Sequence, residues 1–90
     1  MDIALAIRER LAALDPQSME LLDESGQHAG HEGAKSGGGH FRLTIVSRRF
    51  SGKGTLERHR MIYGALGSLM QREIHALAIN AHAPDELRSG

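Results

Sequence analysis

Residues 40–48 read His-Phe-Arg-Leu-Thr-Ile-Val-Ser-Arg and residues 74–82 read Ile-His-Ala-Leu-Ala-Ile-Asn-Ala-His, and these two stretches decide the fold. In the first, Phe41, Leu43 and Ile45 share one parity while His40, Arg42 and Thr44 share the other. That alternation predicts a strand with one buried and one wet face. In the second, His75, Leu77, Ile79 and Ala81 fall on one parity, predicting another strand. Between them, Ser51-Gly52-Lys53-Gly54 breaks the chain and Thr55 is a candidate N-cap. From Leu56 to about Arg72, Met61, Ile62, Ala65, Leu66, Leu69 and Met70 gather on one side of a helix. Gly64 and Gly67 each cost up to ~1 kcal/mol against alanine in a helix interior, so a bend or early end is expected near 67. If the two strands pair, the intervening helix forces them parallel, with a right-handed crossover.

Working outward, Asp2 caps an N-terminal helix whose apolar face is Ile3, Ile7, Leu11 and Leu14, with Arg8, Glu9 and Arg10 facing away. Asp15-Pro16 stops it, because the residue before proline avoids the helical region. Residues 18–25, Ser-Met-Glu-Leu-Leu-Asp-Glu-Ser, read as a short strand. Six of the fourteen residues 26–39 are glycine, so this stretch is expected to be a mobile loop, and it carries His28 and His31. Pro84-Asp85-Glu86 opens a final short turn of helix. The fold class is therefore α+β, an αββαβ single domain over residues 1–90. Its helices cover one face of a three-stranded mixed sheet.

Composition narrows the function classes. Ninety residues carry eleven Lys+Arg against eleven Asp+Glu, and 40% are hydrophobic, which excludes a highly charged disordered tail. No run approaches the ~18 apolar residues of a membrane span. Met1-Asp2-Ile3 lacks the basic start of a signal peptide, so no membrane association and a cytoplasmic location are expected. Zero cysteine excludes disulfides, a thiolate nucleophile and any metal site built from the chain's own thiolates. The balanced charge hides a gradient: net −4 over residues 1–35, +6 over 36–72 and −2 over 73–90. Ser25, Ser47 and Ser51 stand in no recognisable arrangement with a base, so no enzyme activity is expected.

Parallel strands start at one rim of the sheet. His40 begins the middle strand, His75 begins the last, and the segment bearing His28 and His31 leads into the middle one. Up to four imidazoles thus converge at one end, while Arg48, Arg49 and Lys53 lie at the other, with Arg60 on the helix. Each has a plainer reading. His75 serves equally as an edge histidine bonded to backbone, and His28 and His31 as polar residues of a solvated loop. His40 reads as a surface residue or a hydrogen bonder beside the site. Arg58 falls near the core-facing stripe, so its guanidinium must reach a carbonyl or carboxylate. The basic cluster reads first as a solvated face, and second as a set of phosphate contacts that position a duplex without reading its sequence.

A set of residues in order then points to a family: Asp23-Glu24-Ser25, a loop histidine, His40-Phe41, Val46-Ser47, Phe50-x-Gly52, Leu56-x-Arg58-His59-Arg60 and His75-Ala76-Leu77-Ala78-Ile79. From about Ile3 to Glu86 the chain resembles the BolA family. The resemblance implies a domain similar to class II KH folds, partnership with monothiol glutaredoxins of the Cys-Gly-Phe-Ser type, and roles in iron–sulfur trafficking or transcriptional control. It maps a cluster ligand onto His75. The second ligand comes from the loop between the first two strands, where Glu24-Ser25-Gly26-Gln27-His28 marks a histidine-type member and His31 is an alternative. Leu87 stands where many members carry tryptophan, which weakens the packing of the tail. The Gly-x-x-Gly loop of KH domains is absent.

The leading expectation is a non-enzymatic adaptor sharing a [2Fe–2S] cluster held by partner cysteine, glutathione, His75 and His28 or His31. No cofactor is expected on the isolated chain, which would be a monomer or weak dimer. The alternative is a DNA-binding regulator using Arg48, Arg49, Lys53 and Arg60. A third reading is metal chelation by His28-x-x-His31 alone.

Overall fold

The computed structural model describes residues 2–24 and 39–88. The elements are α1 (Ile3–Leu11), a 3-10 turn (Ala12–Leu14), β1 (Ser18–Asp23), β2 (Gly39–Val46), a 3-10 turn (Arg48–Phe50), α2 (Thr55–Leu66), α3 (Leu69–Arg72), β3 (Ile74–His82) and a 3-10 helix (Pro84–Arg88). They form a mixed sheet in the order β1-β2-β3, with β1 antiparallel and β3 parallel to the central β2. The expected α+β order and pairing are met.

Local chemistry accounts for the elements. Asp2 accepts a hydrogen bond from the Leu5 amide at 3.1 Å, satisfying one of the orphan donors of α1. The helix tightens into a 3-10 turn at Ala12 and ends at Asp15, which sits in the left-handed region at φ 55°. The stop before Pro16 is therefore made by an αL residue and not by an extended one. On the helix that follows β2, Thr55 is the first helical residue and Gly54 the cap, which corrects the expected Thr55 cap. Gly67 adopts φ +57° and ends α2, so the break anticipated there divides the predicted 56–72 helix into α2 and α3. The Arg10 guanidinium donates to the last carbonyl of α2, at Leu66, over 3.1 Å.

The core lies between the helices and one face of the sheet. Ile7 and Leu11 of α1, Leu43 and Ile45 of β2, Phe50, and Ile62 and Leu66 of α2 are fully buried. Each such side chain contributes about 1.5–3 kcal/mol by leaving water. The other sheet face carries the exposed Glu20, Leu22, Arg42, Ala76, Ala78 and Asn80, so helices cover one side only. Two boundaries differ from expectation. β1 ends at Asp23, and β2 runs from Gly39 to Val46 and not to residue 48. The early end of β2 has a cause: Ser47 is buried and its hydroxyl donates to the Leu14 carbonyl at 2.7 Å while accepting from the Arg49 amide at 3.1 Å. Those bonds turn the chain into the Arg48–Phe50 turn. Among the described residues, no helix is long and apolar enough to cross a membrane.

Candidate functional site

Two rims close the parallel β2–β3 pair, and they differ in how their polar groups are used. At the first, β2 and β3 both begin. The Gly39 amide donates to the Glu73 carbonyl at 2.8 Å, and the Glu24 amide donates to the His40 carbonyl at 2.7 Å. The three strands are thereby tied together at this level. The β2–β3 register then slips: Gly39 pairs with Ile74 but His40 pairs with Ala76, leaving His75 as an extra residue. Such a bulge re-aims a side chain. Its effect is visible in burial, since Ile74 is 3% exposed and joins the core while His75 is exposed.

This overturns the expected parity of β3. His75 was grouped with Leu77, Ile79 and Ala81, which do pack against the core, but the bulge releases His75 from that face. The ring of His75 lies against that of His40, with centroids 4.9 Å apart and planes inclined by 34°. Close by in the ladder, Arg42 donates from Nε to Glu24 Oε2 at 3.0 Å. The rim is thus an exposed imidazole, a half-buried imidazole stacked on it, and a surface ion pair. Neutral imidazole nitrogen binds borderline metals well and can replace thiolate on one iron of a [2Fe–2S] centre.

His28 and His31 lie outside the described residues, so the convergence of four imidazoles comes down to the pair His40 and His75. Among the described residues, no group of three or more His, Cys, Asp or Glu side chains is arranged to hold a metal ion. A cluster at this rim would therefore draw further ligands from elsewhere, and with no cysteine in the chain any thiolate belongs to a partner.

At the opposite rim, where β2 and β3 end, Arg48 and Arg49 are exposed in the 3-10 turn after β2. Lys53 is half-buried and paired with Glu57 at 3.6 Å. Arg60 is exposed on α2, about 8 Å along the axis from the start of that helix. Arg48 and Arg49 thus stand in the turn after β2, Lys53 faces Glu57, and Arg60 lies along α2. Arg58 is the buried one, as its place on the apolar stripe requires. Its guanidinium donates to Glu86 through two bonds of 2.8 and 2.6 Å, to the Lys53 carbonyl at 2.8 Å and to the Ala81 carbonyl at 3.0 Å. Glu86 also accepts from the Ala83 amide at 3.0 Å, the reach-back of a helix capping box. Hydrogen bonding from Arg58, then from Ala83, lowers the Glu86 pKa to about 2, and the bond to Glu86 raises that of Arg58.

Two features escaped the sequence reading. The bulge had a faint signal, because Ile74 and Leu77 are three apart and an unbroken strand cannot bury both on one face. The nearness of His40 and His75 follows from the parallel pairing, but the contact of one tilted ring with the other depends on the bulge and carries no signal in the sequence. Leu87 is 56% exposed, consistent with a loosely packed tail.

The family model described as "BolA-like protein" matches residues 11–86. The human "BolA-like protein 1" is 42% identical over 87 residues, which covers 96% of this chain and 61% of that protein. This chain spans about three fifths of the length of the curated relatives of that type. The Escherichia coli (strain K12) protein named "DNA-binding transcriptional regulator BolA" is 39% identical over 87 residues, 91% of this chain and 80% of that one. Among solved structures, the BolA domain of SufE1 from Arabidopsis thaliana superposes with a TM-score of 0.79 at 44% identity, covering 96% of each chain. With the strand order, the loaded β3 start and the buried Arg58 already in place, these matches agree on one assignment: the chain belongs to the BolA family.

Proposed function

We propose that this protein is a non-enzymatic adaptor that shares a [2Fe–2S] cluster with a monothiol glutaredoxin of the Cys-Gly-Phe-Ser type. The observation that carries the reading is His75: exposed by a bulge, in ring contact with His40, at the rim into which the segment holding His28 and His31 leads, in a chain without a single cysteine. The donor set fits the role. Imidazole from His75, with His28 or His31, supplies nitrogen, while partner cysteine and glutathione supply thiolate. The bound cluster would contribute one-electron chemistry and transferable iron and sulfide. The chain's own part is to hold the His75 ring at a fixed place, through the three-strand tie at Gly39 and Glu24 and the contact with His40. A nitrogen ligand must be unprotonated to bind, so protons compete with the metal and the shared cluster is expected to be more acid-labile than an all-thiolate one.

Mixing the protein with cluster-loaded glutaredoxin is expected to change the visible circular dichroism spectrum, and His75→Ala to abolish that change. An unchanged wild-type spectrum, or a full response from His75→Ala, would sink the proposal.

A second reading has support of its own. Arg48 and Arg49 are exposed at one rim, and a relative carries the name of a DNA-binding transcriptional regulator. If these arginines meet phosphates of a duplex, each removes about 0.9 from the slope of log affinity against log salt when replaced by alanine. Lys53, already paired with Glu57, is expected to contribute least. Binding that ignores salt between about 50 and 200 mM would exclude this route.

A further inference from the structure

A cleft of about 990 Å³ opens beyond the far rim, where β2 and β3 end. Its size is that of a small-molecule site, and crevices outside the carboxyl ends of parallel strands are where open sheets take ligands. The walls come from three successive positions across the sheet: Asp15 and Gln17 before β1, Arg48 after β2, and Pro84, Asp85 and Leu87 after β3. Val46 lies between them. It shares the parity of Arg42 and Thr44 on the uncovered face, yet it is 7% exposed and stands outside the main core.

The backbone of these walls is held before any ligand arrives. The Asp15 amide donates to the Ala12 carbonyl at 3.0 Å, and the Ser47 hydroxyl lies 3.4 Å from the Asp15 carbonyl. The Ser51 amide donates to the Arg48 carbonyl at 3.1 Å. Asp85 sits in the 3-10 helix that Arg58 fastens through Glu86. The charged side chains are unmatched. Among the described residues, Arg48 forms no ion pair with Asp15 or Asp85. Asp85 feels the field of Arg58, but that guanidinium is already matched by Glu86. Across the sheet the cleft thus presents negative, positive and negative charge in turn. Two strand spacings of ~4.8 Å separate the elements that carry the carboxylates, a span of about 10 Å.

We propose that the cleft binds a free basic α-amino acid such as lysine. Its charges repeat the pattern with opposite signs: the carboxylate faces Arg48, which suits a forked contact, and the α- and ε-ammonium groups face the two aspartates. Six bonds separate the two nitrogens, about 7 Å when extended, so one molecule reaches both sides of the cleft. The methylene stem lies along Val46, Pro84 and Leu87, as long cationic side chains do on apolar surface. A neutral amino acid would leave one aspartate unmatched, and a simple anion would leave both. Asp15, Arg48 and Asp85 are exposed, so each pair adds little and the Kd is on the order of 1 mM. The cleft lies at the rim opposite His75, so ligand binding and cluster sharing do not depend on one another.

Titration of the isotope-labelled full chain with lysine, followed by amide NMR, tests the proposal. Saturable shifts are expected at Val46, Ser51 and Leu87 and none at His75, with half-saturation on the order of 1 mM. Norleucine, which lacks the ε-ammonium, and lysinamide, which lacks the carboxylate, are each expected to bind about threefold to fivefold more weakly. Arg48→Gln, Asp15→Asn and Asp85→Asn are each expected to weaken lysine by a similar factor, while Arg8→Gln on α1 changes nothing. Asparagine tolerates the left-handed backbone of residue 15, and the amide spectra report that the variants are folded. Shifts that fail to saturate by about 20 mM would overturn the proposal. So would norleucine binding as well as lysine, wild-type affinity in Arg48→Gln or in both asparagine variants, or an equal loss in Arg8→Gln.

Discussion

Among the described residues, the two rims of the β2–β3 pair use their polar side chains differently. Where the strands end, Ser47, Arg58 and Glu86 are each bound to backbone or to one another, and together they lock the Pro84–Arg88 segment, the α2 start and the β3 end into one unit. Where the strands begin, His75 is exposed and its described contact is the ring of His40. A buried ionic group has to be satisfied because desolvation leaves no alternative, so its geometry is dictated by the fold. An exposed imidazole at a bulge has no such obligation, and is free to take a ligand. The comparison teaches that in this protein the stronger electrostatic pair is structural and the weaker contact is the functional candidate.

The sharpest way to break the contrast is Arg58→Ala. It strips donors from the Lys53 and Ala81 carbonyls and from Glu86, and a loss of about 2–3 kcal/mol in unfolding free energy is expected by chemical denaturation. Arg58→Lys is expected to recover little of it, since an ammonium cannot reproduce the forked contact with the carboxylate. A wild-type-like denaturation midpoint for Arg58→Ala would show that the far rim is not held this way. Next in size is Ser47→Ala, which leaves the buried Leu14 carbonyl and the Arg49 amide without their partner and is expected to cost about 1–2 kcal/mol by the same measurement.

Acid probes the Arg58–Glu86 pair without mutation. The Glu86 carboxyl is held at about 2 against an ordinary value of 4.5, so its stabilising contribution is full above about pH 4.5 and is lost as pH falls toward 2. Thermal unfolding followed between pH 5 and pH 2 is expected to show a decline that Glu86→Gln flattens. An identical decline in the variant would assign the acid sensitivity to other groups. The smallest stability effect belongs to the other rim: His75→Ala is expected to leave the unfolding free energy within about 0.5 kcal/mol of wild type. The same variant is expected to abolish the spectral response to cluster-loaded glutaredoxin. A large destabilisation by His75→Ala would erase the distinction between the two rims.

Much of the fold was legible because its signals are local. The alternation of Phe41, Leu43 and Ile45 places β2, the spacing of Ile3, Ile7, Leu11 and Leu14 places the face of α1, and Gly67 marks the break between α2 and α3. What was not legible depends on partners distant in sequence. The end of β2 is set by Ser47 reaching Leu14, and the Arg58 stripe position demanded a partner without naming Glu86, 28 residues away. The bulge at His75 is a matter of register between β2 and β3, and a parity count within one strand cannot contain it. Of the candidate site, His75 and the nearness of His40 follow from parallel pairing, whereas His28 and His31 belong to a stretch outside the described residues.

The bond from the Glu24 amide to the His40 carbonyl has an evolutionary corollary. It pins both ends of the connection between β1 and β2 beside the rim, whatever lies in between. The backbone bonds that fix this rim are made by Glu24, Gly39, His40 and Glu73, all outside segment 25–38. Descendants of this sequence are free to vary what they present next to His75 without renegotiating the scaffold beneath it.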